Sequence, residues 1–159
     1  MAKLDTKRLG HYCLSIQENI EDIRFLLSEY SDEELLEKRY LLKSLKYSLV
    51  EIAEAMANTL QHMLAKLKGE AAESYLEVVE KAMRANLMDV ELLGRLLFFF
   101  KFRNLLVHRY WEIDNERLIQ ETRSGYKDFE ARVSVRVIWT VPIIALQPEL
   151  EFSSVDADA

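Results

Sequence analysis

The chain has 159 residues, half of them hydrophobic and 30% charged, with a formal net charge of −6. That is one domain's length, enough to bury a core without metals or disulfides. The acidity argues against a sequence-independent grip on nucleic acid through the whole surface, because such binding lives on neutralised phosphates.

The longest uninterrupted apolar run, Leu96 to Phe100, is far short of the ~20 residues that cross a bilayer. The lone Cys13 has no partner for a disulfide or a metal site and reads as a small buried apolar residue; with no secretory leader, this points to a reducing cytoplasm. Both prolines, Pro142 and Pro148, lie near the C-terminus, so nothing before residue 140 forbids helix.

A first helix is predicted over 6–29, with Leu9, Tyr12, Ile16, Ile20, Ile23 and Leu27 on one face. Ser31 and Glu34 form a capping box for a long second helix over 32–67. Its stripe runs through Leu35, Leu42, Leu45, Leu49, Ile52, Met56, Leu60, Met63 and Leu67, and Lys66, Lys68 and Gly69 mark its end. A third helix covers 72–86, with Tyr75, Leu76, Val79 and Met83 inward. A fourth starts at Asp89 as N-cap and carries Leu92, Leu93, Leu96, Leu97 and Phe100. The apolar width of Leu96 to Phe102 makes it either the central helix or one shared with a second subunit. Trp111 to Asn115 reads as a break. A short helix capped by Asp114 then runs to Thr122, with Ile113 and Leu118 as a hydrophobic staple, and Ser124-Gly125 is a turn. The segment 126–138 alternates like a strand at Val133 to Val137, but an isolated strand has no partner and helix is preferred. The expected fold is an all-α, up-and-down four-helix bundle over 1–140 with one or two extra short C-terminal helices, followed by an irregular tail over 141–159.

Several chemistries drop out. Di-iron bundles need Glu-x-x-His pairs, whereas Arg8, Thr59 and Leu105 precede His11, His62 and His108 by three. There is no phosphate-cradling glycine loop and no nucleophile elbow. His62, near a helix end, reads as a solvated or dipole-favoured residue rather than a ligand. No metal and no cofactor of the chain's own is expected.

One string remains: Arg103-Asn104-Leu105-Leu106-Val107-His108-Arg109-Tyr110, polar groups in an apolar helix directly after Phe98, Phe99 and Phe100. Polar groups beside a core are costly unless paired. Asn104 and His108 share a helix face, and Arg103 lies about 140° from His108 but is long enough to reach the same groove. On an ideal helix His108 and Tyr110 point apart, so either the helix loosens at Trp111 or the site is assembled across two chains. Spacing alone favours surface or capping roles for Arg103 and His108, with Tyr110 packing at the helix end.

The string resembles the hallmark of the HepT-like branch of the HEPN superfamily, Arg-x4-His-x-Tyr with Asn after the Arg and Val before the His, and every position matches. Trp111-Glu112-Ile113-Asp114 resembles the family's continuation, and Glu54 resembles a glutamate the family often keeps near its site. The resemblance covers about residues 6–130; the segment after Val133 departs from the pattern.

The resemblance implies an all-helical homodimer with metal-independent endoribonuclease activity: the toxin of a type II or type VII-like toxin–antitoxin pair. The implied antitoxin is an MNT-type nucleotidyltransferase that in several pairs uses ATP and Mg to AMPylate the motif tyrosine, here Tyr110. RNA is the implied substrate; neither DNA nor membrane is expected.

On that reading His108 serves as acid or base and Arg103 binds phosphate. Asn104 orients His108 or binds phosphate, Tyr110 positions phosphate or stacks a base, and Glu54 orients Arg103 or His108. Lys101, Arg103 and Arg109 supply local positive charge. The alternative is a non-catalytic helical module that dimerises and partners a nucleotidyltransferase. A purely structural bundle leaves the polar string unexplained.

Overall fold

The computed structural model describes residues 3–87 and 90–132. Asp89, the strand-like stretch Val133 to Val137 and the tail 141–159 lie outside the described residues. All regular structure among the described residues is helical: α1 (Thr6–Glu29), α2 (Asp32–Glu37), α3 (Arg39–Lys68), α4 (Tyr75–Arg84), α5 (Val90–His108), a 3₁₀ turn (Tyr110–Glu112) and α6 (Asn115–Arg132). An all-helical bundle is therefore what the chain forms. No described helix is long and apolar enough to cross a membrane.

The centre is α3, not α5. It packs against α1 on one side and against α4 and α5 on the other, and also meets α2. The reason lies in its second half, where Ile52, Ala53, Ala55, Met56, Ala57, Thr59, Leu60, His62, Met63 and Leu64 are all buried. A helix apolar nearly all round belongs inside, and its alanines keep the neighbours close. What escapes burial is a narrow stripe at i, i+4, i+7 and i+11: half-buried Glu54, exposed Asn58, half-buried Gln61 and exposed Ala65. Gly69 ends α3 in a left-handed conformation, φ 66°, as its C-cap.

The expected 32–67 helix is two. The Ser31–Glu34 capping box forms as predicted, but the backbone turns at Lys38, φ −88° and ψ 89°. No glycine or proline marks that turn. It directs α2 against both α3 and α6. In α4 the buried residues are Val78, Val79 and Ala82, while Leu76, expected inward, is exposed.

The predicted turn at Ser124-Gly125 is overturned: α6 continues through it to Arg132. Asp114 caps α6 as expected, accepting from Arg117 N at 3.1 Å. A helical glycine costs only about 1 kcal/mol relative to alanine, and tertiary anchoring outweighs it. Arg123 donates from Nη1 to Leu27 O at 2.6 Å and from Nη2 to Tyr30 O at 3.0 Å, carbonyls left unpaired at the end of α1. Its Nε donates to Asp32 Oδ1 at 2.6 Å. One guanidinium thus joins α6 to the end of α1 and the start of α2.

His62 is also a correction. It is 6% exposed, and its Nε2 accepts a hydrogen bond from Asp5 N at 3.0 Å. Asp5 caps α1 in turn, accepting from Arg8 N at 2.9 Å. A buried imidazole that accepts must be neutral, and burial, with nearby Arg8, lowers its affinity for a proton.

Arg123→Leu is expected to lower stability by about 1–2 kcal/mol; the usual worth of charge-assisted hydrogen bonds is discounted here because the side chain is 34% exposed. Arg123→Lys recovers only part, since lysine cannot fork. An unchanged urea midpoint for Arg123→Leu would show that α6 docks without it. His62 gives a pH signature. The unfolded chain binds its proton more readily than the folded one, so this contribution is complete above the ordinary value of 6.5 and is lost as pH falls below it. Denaturant melts between pH 8 and 5 should show a steeper loss for the parent than for His62→Gln; parallel curves would refute the assignment.

Candidate active site

Glu54 is the charged member of α3's polar stripe beside α5, and Arg103 of α5 answers it. Arg103 Nη2 donates to Glu54 Oε1, and its Nη1 donates to Asn104 Oδ1 at 3.2 Å. The Arg103 side chain is 16% exposed, and its Nε is buried without a partner. A guanidinium so far from water is tolerable only because a carboxylate meets it.

A third residue completes the group. Ser74 caps α4, accepting from Glu77 N at 3.2 Å, and so starts that helix at Tyr75. The Tyr75 hydroxyl donates to Glu54 Oε2 at 2.5 Å. Its ring lies 5.0 Å from the guanidinium carbon of Arg103, within cation–π range. The same ring packs on Phe100, with centroids 5.2 Å apart. Phe100 is fully buried and sits three residues before Arg103, on the same face of α5. Burial and then the Glu54 carboxylate push the Tyr75 hydroxyl up to about 12, against the opposing effect of Arg103. At neutral pH it is therefore a donor. Read from sequence, Tyr75 is one more apolar-face residue of its helix; only the three-dimensional approach of α3 and α5 reveals its hydroxyl's role.

His108 is the last residue of α5 and is exposed. The helix ends there, earlier than the expected loosening at Trp111. Arg109 leaves the helical region, φ −137° and ψ 40°, and starts the 3₁₀ turn. Its N–H still reaches Leu105 O at 2.9 Å, and its carbonyl accepts from Glu112 N at 3.0 Å. The ideal-helix geometry that separates His108 from Tyr110 therefore does not apply. Tyr110 and Trp111 are 62% and 67% exposed, ring edge to ring face at 5.3 Å, so Tyr110 does not pack into the core. The expected basic cluster is largely neutralised: Arg103 by Glu54 and Arg109 by Glu112, the latter at 2.6 Å. Lys101 is exposed.

Of the residues singled out from sequence, the fold brings Arg103, Asn104 and Glu54 together and adds Tyr75. The Arg103 hydrogen bonds run to Glu54 and Asn104, not to His108 or Tyr110. His108 lies about 7.5 Å further along the helix axis from Arg103, five residues at the standard rise.

A family profile described as ribonuclease HepT-like matches residues 16–135. No curated protein and no solved structure gives a match. The matched span contains Glu54, Tyr75 and the whole string from Arg103 to Tyr110. With most of its length inside that span, the chain belongs to the ribonuclease HepT-like family.

Proposed function

We propose that the chain is the toxin of a toxin–antitoxin pair, a metal-independent endoribonuclease in which Arg103 and His108 carry the chemistry. The observation that supports this best is the family match over 16–135, which encloses the complete Arg103–Tyr110 string. RNA contains its own nucleophile. Attack of a 2′-OH on the adjacent phosphorus forms a cyclic phosphate and breaks the bond to the 5′-oxygen of the next nucleotide. The step needs a base for the 2′-OH proton, an acid for the leaving oxygen and a cation for the crowded phosphate.

Histidine titrates near neutrality and serves as base or acid. Exposed at a helix end, His108 is accessible to substrate. Arg103 has five N–H donors; Glu54 and Asn104 engage one on each Nη and the Nε–H is buried, which leaves the second N–H of each Nη for phosphate oxygens. One histidine cannot be base and acid in the same step; two protomers related by a two-fold axis supply a pair. Phe98, 69% exposed, and the exposed Leu105 sit seven residues apart on one face of α5, which favours that face for the second copy.

The partner in this reading is an MNT-type nucleotidyltransferase that transfers AMP from ATP to the Tyr110 hydroxyl, with pyrophosphate leaving. The exposure of Tyr110 on a short turn suits an acceptor. The added phosphate would place like charge where RNA phosphate must sit, and it would inactivate without disturbing the core.

Purified protein should cleave RNA in EDTA, and His108→Ala should lower the rate by ~10²-fold or more. Equal cleavage by both would sink the catalytic assignment, and no cleavage by the parent dimer would favour the non-catalytic partner module. Co-expression with the nucleotidyltransferase should add the mass of AMP to the peptide containing Tyr110 and leave Tyr110→Phe unmodified. Full neutralisation with that peptide unmodified would mean inhibition by complex formation alone.

A further inference from the structure

We infer that Tyr75 is a positioning residue for Arg103: its ring holds the plane of the guanidinium, and its hydroxyl holds the Glu54 carboxylate that grips it. The inference rests on the reading of Arg103 as the phosphate-binding group.

An arginine side chain on an isolated helix samples many rotamers, and fixing it costs conformational entropy. A single carboxylate contact would leave both partners free to rotate. Here Tyr75 engages Oε2 of Glu54 while Oε1 takes the guanidinium, so the carboxylate is held at both ends. The ring face 5.0 Å from the guanidinium carbon limits tilt, and the buried Phe100 backs the ring. The Tyr75 backbone is itself fixed by the capped start of α4. The high affinity of its hydroxyl for the proton keeps it a donor across the neutral range.

The arrangement also leaves the Arg103 Nε–H buried and unpaired. An unmet buried donor is costly, so the geometry is not the cheapest way to bury an arginine. It is a way to fix the direction of the fork. Transition-state stabilisation of a phosphate depends on that direction, and misplacement by about 1 Å can cost ~10²-fold in rate.

The test uses the full chain and three variants: Tyr75→Phe, which keeps the ring; Tyr75→Leu, which keeps neither ring nor hydroxyl; and Arg103→Lys, which identifies the Arg103 Nε–H signal in a nitrogen–proton correlation spectrum by its loss. In the parent that signal should be protected from solvent exchange. Tyr75→Leu should release it and lower kcat for RNA cleavage by about 10- to 100-fold, with much less change in KM. Tyr75→Phe should fall between.

A folded Tyr75→Leu protein with an unchanged Arg103 signal would overturn the inference, whatever its activity. If the parent does not cleave RNA, the ribonuclease reading fails separately, and the Arg103 signal alone decides whether Tyr75 positions it. If Tyr75→Leu does not fold, Tyr75→Phe decides: parental exchange and parental kcat would refute a positioning role for the hydroxyl.

Discussion

A helix buried on nearly every side can carry charge only where a neighbour answers it. From Ile52 to Leu64, α3 leaves just the stripe of Glu54, Asn58 and Gln61 short of full burial. The electrostatic cost of Glu54 is offset by Arg103, and the cost of burying most of the Arg103 guanidinium is offset by Glu54. Tyr75 closes the group from α4. The three helices that build one side of the core are thus tied by the same three side chains that form the candidate site, and the site inherits the rigidity of the core. A loop-borne arginine would have no such support.

The other half of the motif is built on the opposite principle. Beyond Leu106, which is buried, Val107 and His108 are exposed and α5 ends, and the chain turns through Arg109 into an exposed 3₁₀ turn. His108, Tyr110 and Trp111 consequently stand on the outside. On the proposed reading this division is useful. The phosphate-binding cation is fixed in advance, while the proton-transferring and modified groups stay accessible to RNA and to a partner enzyme.

How much of this was legible in the sequence follows the range of the interactions involved. The α1 face, the capping box at Ser31, the Gly69 stop and the Asp114 cap are set by residues within a turn or two of one another, and all appear as read. The motif string was legible through its resemblance; that Glu54 meets Arg103 is a contact between two helices. The failures are long-range. The Lys38 turn has no local breaker, and the α2 that it sets apart is tied by Asp32 to Arg123, 91 positions away. The same arginine carries α6 past Gly125, where local chemistry predicts a turn. His62 looks like a helix-end surface group until the start of α1, 57 residues earlier, folds over it. Tyr75 has a hydroxyl whose partner is 21 residues back on another helix. Periodicity reports which face a residue occupies, not which polar atom from elsewhere will meet it there.

The pairing of charges bears on how an acidic chain could act on RNA. Five of its eleven arginines face carboxylates: Arg95 meets Glu91, Arg103 Glu54, Arg109 Glu112, Arg117 Glu121 and Arg123 Asp32. A cation already facing a carboxylate releases fewer counterions on meeting a phosphate, so it contributes less to salt-dependent affinity. These five arginines therefore add little to general attraction. What Arg103 retains is direction, since its free N–H groups point from a fixed plane. Binding energy that is weak for the ground state and strong for one arrangement of phosphate oxygens is what catalysis requires. On the ribonuclease reading, the pairing of Arg103 with Glu54 both limits its general attraction for RNA and holds its direction, so this cation acts by geometry more than by net charge.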